Sequence, residues 1–397
     1  MAEAIPLLSV GLERDLRVFT REYLGPQGLL ASPNATTGTF KIIEAYYGGG
    51  KTHYLRAVQH EAAQNRFASA IVNLRKDECP LTRFDLIYRA VAEVLQVPDL
   101  PAGKYGITEV IRHWLDHDLS EDVDPVSHAQ SKLASLGDLP LAGLKLAIRE
   151  AALAHASGDS EMFDQVRVYL VNGQVTPLLR KKGIVQAIKP ETGSLALRSV
   201  AHWLRQIGYP GLVFILDEGD RSLSLSKAND KRAASNNLVQ LINETSTEGA
   251  WPGVLLLYSI PSWDSFTSAF QDNAALITRV RNTGFPMSPP AARINLDART
   301  ESDEDKIGFC KKLGERLFNL FVLAYPDQTL DQADAATLAS QVADVVVENE
   351  ITNTFRRLFV QTYIIGLNYA RDGDLPTRGE ITQMALGEAD KLSHSGE

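Results

Sequence analysis

The stretch EAYYGGGKTHYL, Glu44 to Leu55, decides how the chain is read. Three glycines followed by Lys-Thr have the form of a phosphate-binding loop, where backbone N–H groups and the positive end of the next helix face an anion. The motif carries weight only between a strand and a helix. TFKIIEAYY (Thr39 to Tyr47) is β-branched and aromatic and predicts a strand, and KTHYLRAVQHEAAQ (Lys51 to Gln64) has good helix formers and no breaker. The usual pattern G-x-x-x-x-G-K-[ST] has a glycine where this chain has Ala45, a position that accepts alanine when φ is negative. On this reading Gly48, Gly49 and Gly50 cradle phosphates, Lys51 reaches the β and γ phosphates and the Thr52 hydroxyl ligates Mg²⁺, with Ala45 and His53 flanking the nucleotide. The competing reading is a glycine-rich strand-to-helix turn with an incidental Lys-Thr.

A nucleotide site of this kind needs acidic residues at the end of another buried strand. LVFILDEGD (Leu212 to Asp220) supplies Asp217 and Glu218 directly after five apolar residues, the Walker B pattern. Asp217 is the candidate Mg²⁺ ligand and Glu218 the candidate general base that polarises the attacking water. YSIPSWD places Ser259 at the end of a further strand, either as a polar sensor near the γ phosphate or as a strand-end serine. Asn73 is a weaker candidate for restraining Glu218.

The organisation around these motifs predicts an α/β fold with a parallel sheet core. FASAIVNL (Phe67 to Leu74), LVFIL (Leu212 to Leu216) and GVLLLYSI (Gly253 to Ile260) are continuous apolar runs, as expected of strands buried on both faces, and ARINL (Ala292 to Leu296) is a fifth. GLERDLRVFTREYL (Gly11 to Leu24) has the apolar spacing of an amphipathic helix. Cys79 to about Pro210 reads as helical with turn-rich interruptions, and everything after Thr300 reads as helices. The expected domains are residues 1–299 for nucleotide binding, with a helical insertion at about 80–200, and residues 300–397 as a helical lid, with the boundary near Pro286 to Ala292 or just after the next strand.

Bulk properties bound the function. The chain is 44% hydrophobic and carries a net charge of −9, so nucleic acid would have to be met by a local basic patch. LLRKKG, with Arg180, Lys181 and Lys182, is the most basic short stretch, and the alternative for it is a solvated helix end. No apolar run is long enough to span a membrane and the N-terminus lacks the pattern of a signal peptide, so a cytoplasmic location is expected. Cys79 and Cys310 are far apart, and His113, His117, His155 and His202 lack metal-site spacing, so these read as structural. Arg279, preferred over Arg281, stands after a helix and before the last strand, where an arginine finger for a neighbouring subunit would sit; a surface salt bridge is its alternative. Arg356 and Arg357 are candidate lid arginines.

Taken together, FKIIEAYYGGGKTHYLRAV, ECPLTRFDLIYRAV, GYPGLVFILDEGD, WPGVLLLYSIPSWDSF and ALITRV resemble the AAA+ branch of P-loop ATPases, and more closely the BREX-system ATP-binding (BrxD-like) family. The likeness runs from about Gly11 to Thr300. The family pattern differs at Ala45, at Ile260-Pro261 and at Asn353, where it has Gly, Thr-Pro and Arg. The resemblance implies an ATPase, with ATP and Mg²⁺ as cofactors, in a bacterial defence system against bacteriophage. It further implies a homo-oligomer working with other defence proteins or with DNA. Two other readings use the same loop: a nucleotide-gated scaffold with little turnover, and a DNA-translocating motor.

Overall fold

The computed structural model describes residues 8–75, 78–219, 227–281, 292–349, 355–371 and 374–394. The five apolar runs form the strands β1 (Thr39–Glu44), β2 (Ala68–Asn73), β3 (Leu212–Asp217), β4 (Val254–Ile260) and β5 (Arg293–Asn295), in the sheet order β2-β3-β4-β1-β5. Pairing is parallel from Ala68 opposite Leu212 to Asn73 opposite Asp217, and again between β3 and β4. Every residue of β3 and β4 is buried, which is why neither shows polar alternation. β1 stops at Glu44, three residues before the end of the apolar run, because the chain leaves the strand at Ala45 to make the loop.

Two compact units, each with its own hydrophobic core, make up the chain. One contains residues 17–42 and 58–283, the other residues 1–16, 43–57 and 284–397, so β1 and the helix Lys51–Gln64 contribute to both.

In the first unit, seven helices among the described residues, from Phe84–Val94 to Pro190–Gln206, fill the chain between β2 and β3. Such long helical crossovers are what parallel strands require. Local rules set the ends: Asp124 caps the helix Pro125–Ala134 through the Ser127 N–H, and Gly158 at φ 72° closes the helix Ala142–Ser157. Trp203 meets Trp114 edge-on, Phe214 of β3 stacks on Trp251, and the Tyr88 hydroxyl donates to the Leu170 carbonyl at 2.7 Å. The N-terminal amphipathic stretch is an α-helix over Glu13–Phe19 that relaxes into a π turn at Thr20–Leu24, where the Gly25 N–H reaches back to Thr20.

The second unit closes with four helices, Asp303–Ala324, Gln332–Glu348, Phe355–Arg371 and Arg378–His394. Gly314 lets two of them touch, since a Cβ there would come within 2.6 Å of the Ala339 methyl. Phe359 and Tyr363 stack in the core, and the Tyr363 hydroxyl donates to the Ala335 carbonyl at 3.0 Å. The candidate domain boundary at residues 286–291 lies outside the described residues.

β1 buries a cation. Lys41 is 1% exposed, its ammonium 4.9 Å from the Tyr23 ring centre, and burial lowers its pKa from 10.5 to about 8. Since the folded pKa lies below the unfolded one, the unfolded chain binds more protons between the two, so stability rises with pH from about 8 to about 10.5. Below about 8 the burial penalty acts in full. The substitution Lys41→Met flattens the stability curve over that window. Urea unfolding at several pH values checks this, and an unchanged slope contradicts it.

Candidate functional site

The glycine-rich loop directly follows β1. Gly48 and Gly50 have φ of 77° and 88°, which glycine adopts without strain. Gly49 is enclosed: a Cβ there would lie 2.8 Å from the Ala45 methyl, 2.8 Å from Asp297 Oδ1 and 2.9 Å from the Tyr46 carbonyl. Ala45 is fully buried and is not among the residues with positive φ, so it meets the condition under which the missing first glycine is tolerated. Lys51 turns back over the loop, donating to the carbonyls of Ala45 and Tyr46, with its ammonium 5.4 Å from the Tyr47 ring centre. Thr52 is exposed at the start of the helix, and the His53 ring nitrogen Nε2 lies 3.2 Å from Ser9 Oγ. Burial lowers the pKa of His53.

A cavity of about 700 Å³ opens beside the loop within the same unit. Gly48, Gly49, Gly50 and His53 are among its lining residues. Its apolar wall comes from the N-terminal segment, with Leu8, Val10 and Leu12, and from the C-terminal helices, with Phe309, Leu313 and Val360. Arg299, Arg356 and Arg357 also line it. Arg299 pairs with Asp15, which is 4% exposed and also accepts from the Tyr54 hydroxyl at 3.3 Å. Burial raises the pKa of Asp15, and the Arg299 guanidinium opposes the rise. Arg356 sits 3.5 Å from Asp297, donates to Thr300 Oγ1 at 2.9 Å and packs between the Phe309 and Phe355 rings. Arg357 is exposed and makes no ion pair among the described residues.

The acidic strand end belongs to the other unit. Asp217 is 3% exposed, and its Oδ1 accepts from the Ser259 hydroxyl at 2.6 Å and from the Glu218 N–H at 2.8 Å. Ser259 is fully buried, so its hydroxyl orients Asp217. Glu218 has φ of 56°, a left-handed conformation that costs a non-glycine residue about 1–3 kcal/mol and clusters at functional positions. Gly219 fixes the turn, since a Cβ there would meet the Ser259 carbonyl at 2.0 Å. Asn73 stands opposite Asp217 in the strand register, exposed and without a bond to Glu218.

The remaining candidates are dispersed. Arg279 is exposed and held by the Asn243 side chain at 2.9 Å and the Ala275 carbonyl at 3.1 Å, with Arg281 exposed just beyond. Lys182 pairs with Glu150 at 3.1 Å, whereas Arg180 and Lys181 point to solvent beside the buried Leu179. His113 and His117 contact edge to face, His155 bonds Asp116 at 2.8 Å and His202 lies 3.0 Å from the Gly249 carbonyl. Among the described residues no cluster of three His, Cys, Asp or Glu could hold a metal, and no helix is long and apolar enough to cross a membrane. Both cysteines are buried and outside any disulfide bond, and burial pushes the Cys79 thiol up to about 12. Asn353 lies outside the described residues.

The family described as BREX system ATP-binding protein BrxC/D matches residues 3–372. The chain belongs to this family. No curated protein and no solved structure matches it. The family name gives ATP as the ligand class.

Sequence reading missed Asp15, Asp297, Arg299 and the Leu8–Leu12 wall, because each acts through a partner far along the chain. DART, residues 297–300 directly after β5, is a polar run at a strand end and was the one available signal.

If the left-handed backbone at Glu218 is retained for chemistry, then Glu218→Gly relieves it and raises stability by about 1 kcal/mol while removing the carboxylate. Thermal and urea unfolding measure this; a loss of stability in Glu218→Gly contradicts the strain assignment.

Proposed function

We propose that this BrxC/D-family chain is an AAA+-like ATPase that binds Mg·ATP on its phosphate loop, hydrolyses it, and passes the nucleotide state to a defence assembly through a lid made by the four C-terminal helices. The observation that carries the reading is the cavity of about 700 Å³ lined by Gly48 to Gly50 together with a mostly apolar set of side chains. Phosphates need backbone donors and a base needs an apolar slot, and this cavity offers both. Val10 and Phe309 are suited to the base, Lys51 to the β and γ phosphates, and Arg357, which is without an ion-pair partner among the described residues, to a phosphate as a lid arginine.

Thr52 and Asp217 are the residues proposed to hold Mg²⁺, each with the hard oxygen donor that the ion prefers. When bound, Mg²⁺ neutralises charge on the β and γ phosphates. In the proposed chemistry Asp217 is held ready by Ser259, and Glu218 accepts the proton of the attacking water. Arg279, exposed on its helix, serves a neighbouring copy as an arginine finger in a homo-oligomer. Arg180 and Lys181 are the residues proposed for DNA phosphate contact, and other proteins of the same defence system are the proposed partners.

Two substitutions test the reading and separate an ATPase from a nucleotide-gated scaffold. Lys51→Ala abolishes the rise in melting temperature that ATP gives the wild-type chain. Glu218→Gln keeps that rise but lowers turnover by at least about 100-fold, within the usual range for loss of general-base catalysis. Turnover that survives Glu218→Gln removes Glu218 as the base, and a wild-type chain that binds ATP without turning it over favours the scaffold.

A further inference from the structure

Asp297, in the short turn Asp297–Arg299 after β5, makes contacts that ATP binding alone does not call for. Its Oδ2 accepts the Tyr46 backbone N–H of the phosphate loop at 2.7 Å, and its Oδ1 lies 3.5 Å from Arg356 Nη1. The turn is itself fixed, since Asn295 Oδ1 accepts the N–H groups of Asp297 and Ala298 at 2.9 and 3.3 Å. Arg356 is held on its other sides by Thr300 Oγ1 and by the Phe309 and Phe355 rings. One carboxylate therefore binds the loop's entry with one oxygen and the helix Phe355–Arg371 with the other.

A carboxylate beside a phosphate loop is electrostatically unfavourable for a polyanionic ligand unless a cation offsets it. Arg356 supplies that cation, and the pair forms a neutral strut with side-chain exposures of 13% and 23%. We propose that Asp297 is a positioning residue for nucleotide binding: it fixes the loop through Tyr46 and holds Arg356 beside it, so that the loop and the helix Phe355–Arg371 respond to nucleotide as one unit. The inference rests on the reading that this loop takes ATP.

The test is equilibrium binding of a fluorescent ATP analogue to the full chain, with circular dichroism on each variant. Asp297→Ala weakens binding by about tenfold, in line with the loss of a hydrogen bond to a charged group. Asp297→Asn keeps an acceptor for the Tyr46 N–H but has no second oxygen for Arg356, so it binds more tightly than Asp297→Ala and less tightly than wild type. The double variant Asp297→Ala with Arg356→Ala binds no more weakly than the weaker single variant, because the two side chains act as a unit. A merely structural Asp297 would instead change melting temperature at unchanged affinity. Wild-type affinity in a folded Asp297→Ala, or losses that multiply in the double variant, overturns the proposal. If wild type takes up no analogue, or Lys51→Ala binds as well as wild type, the ATP reading falls and this inference with it.

Discussion

The glycine-rich loop closes around Gly49. Within 3 Å of the place a side chain would start lie the Ala45 methyl, the Tyr46 carbonyl and an Asp297 carboxylate oxygen, so only a hydrogen fits. The Ala45 methyl occupies space that any larger residue at 49 would need, and the loop keeps its turn because Gly48 and Gly50 supply the positive φ values on either side. The altered loop is therefore a re-packed one, with Lys51 anchored over it by two carbonyls.

The acidic strand end uses a different device. Asp217 is buried and oriented by a buried serine, while the next residue is forced into a left-handed conformation and the one after must be glycine to clear β4. Backbone strain of this kind persists only where surrounding packing over-determines it, and the fully buried β3 and β4 provide that packing. Buried strands thus set the carboxylates, and crowding at Gly49 sets the loop backbone.

Much of this was legible in the sequence. The strands β2, β3 and β4 lie within a residue or two of their apolar runs, and in β3 and β4 full burial removes alternation and leaves hydrophobicity alone as the signal. The helix Lys51–Gln64 begins at the lysine, as its composition indicated. Ser259 stood out at a strand end, but only the structure gives its hydroxyl a partner. Asp15, Asp297 and Arg299 could not be found by spacing: Arg299 meets Asp15 across 284 positions and Asp297 meets Tyr46 across 251. Contacts of that range are fixed by which elements share a core, and periodicity carries no record of it.

The central claim is that a nucleotide lies with its phosphates on the glycine loop and its base against the apolar wall of the same cavity. Photolabelling with 8-azido-ATP followed by peptide mapping tests it directly. The account predicts ATP-displaceable label on residues 8–12 or on the helices Asp303–Ala324 and Phe355–Arg371. Label confined to other segments, or label that excess ATP does not displace, would contradict it.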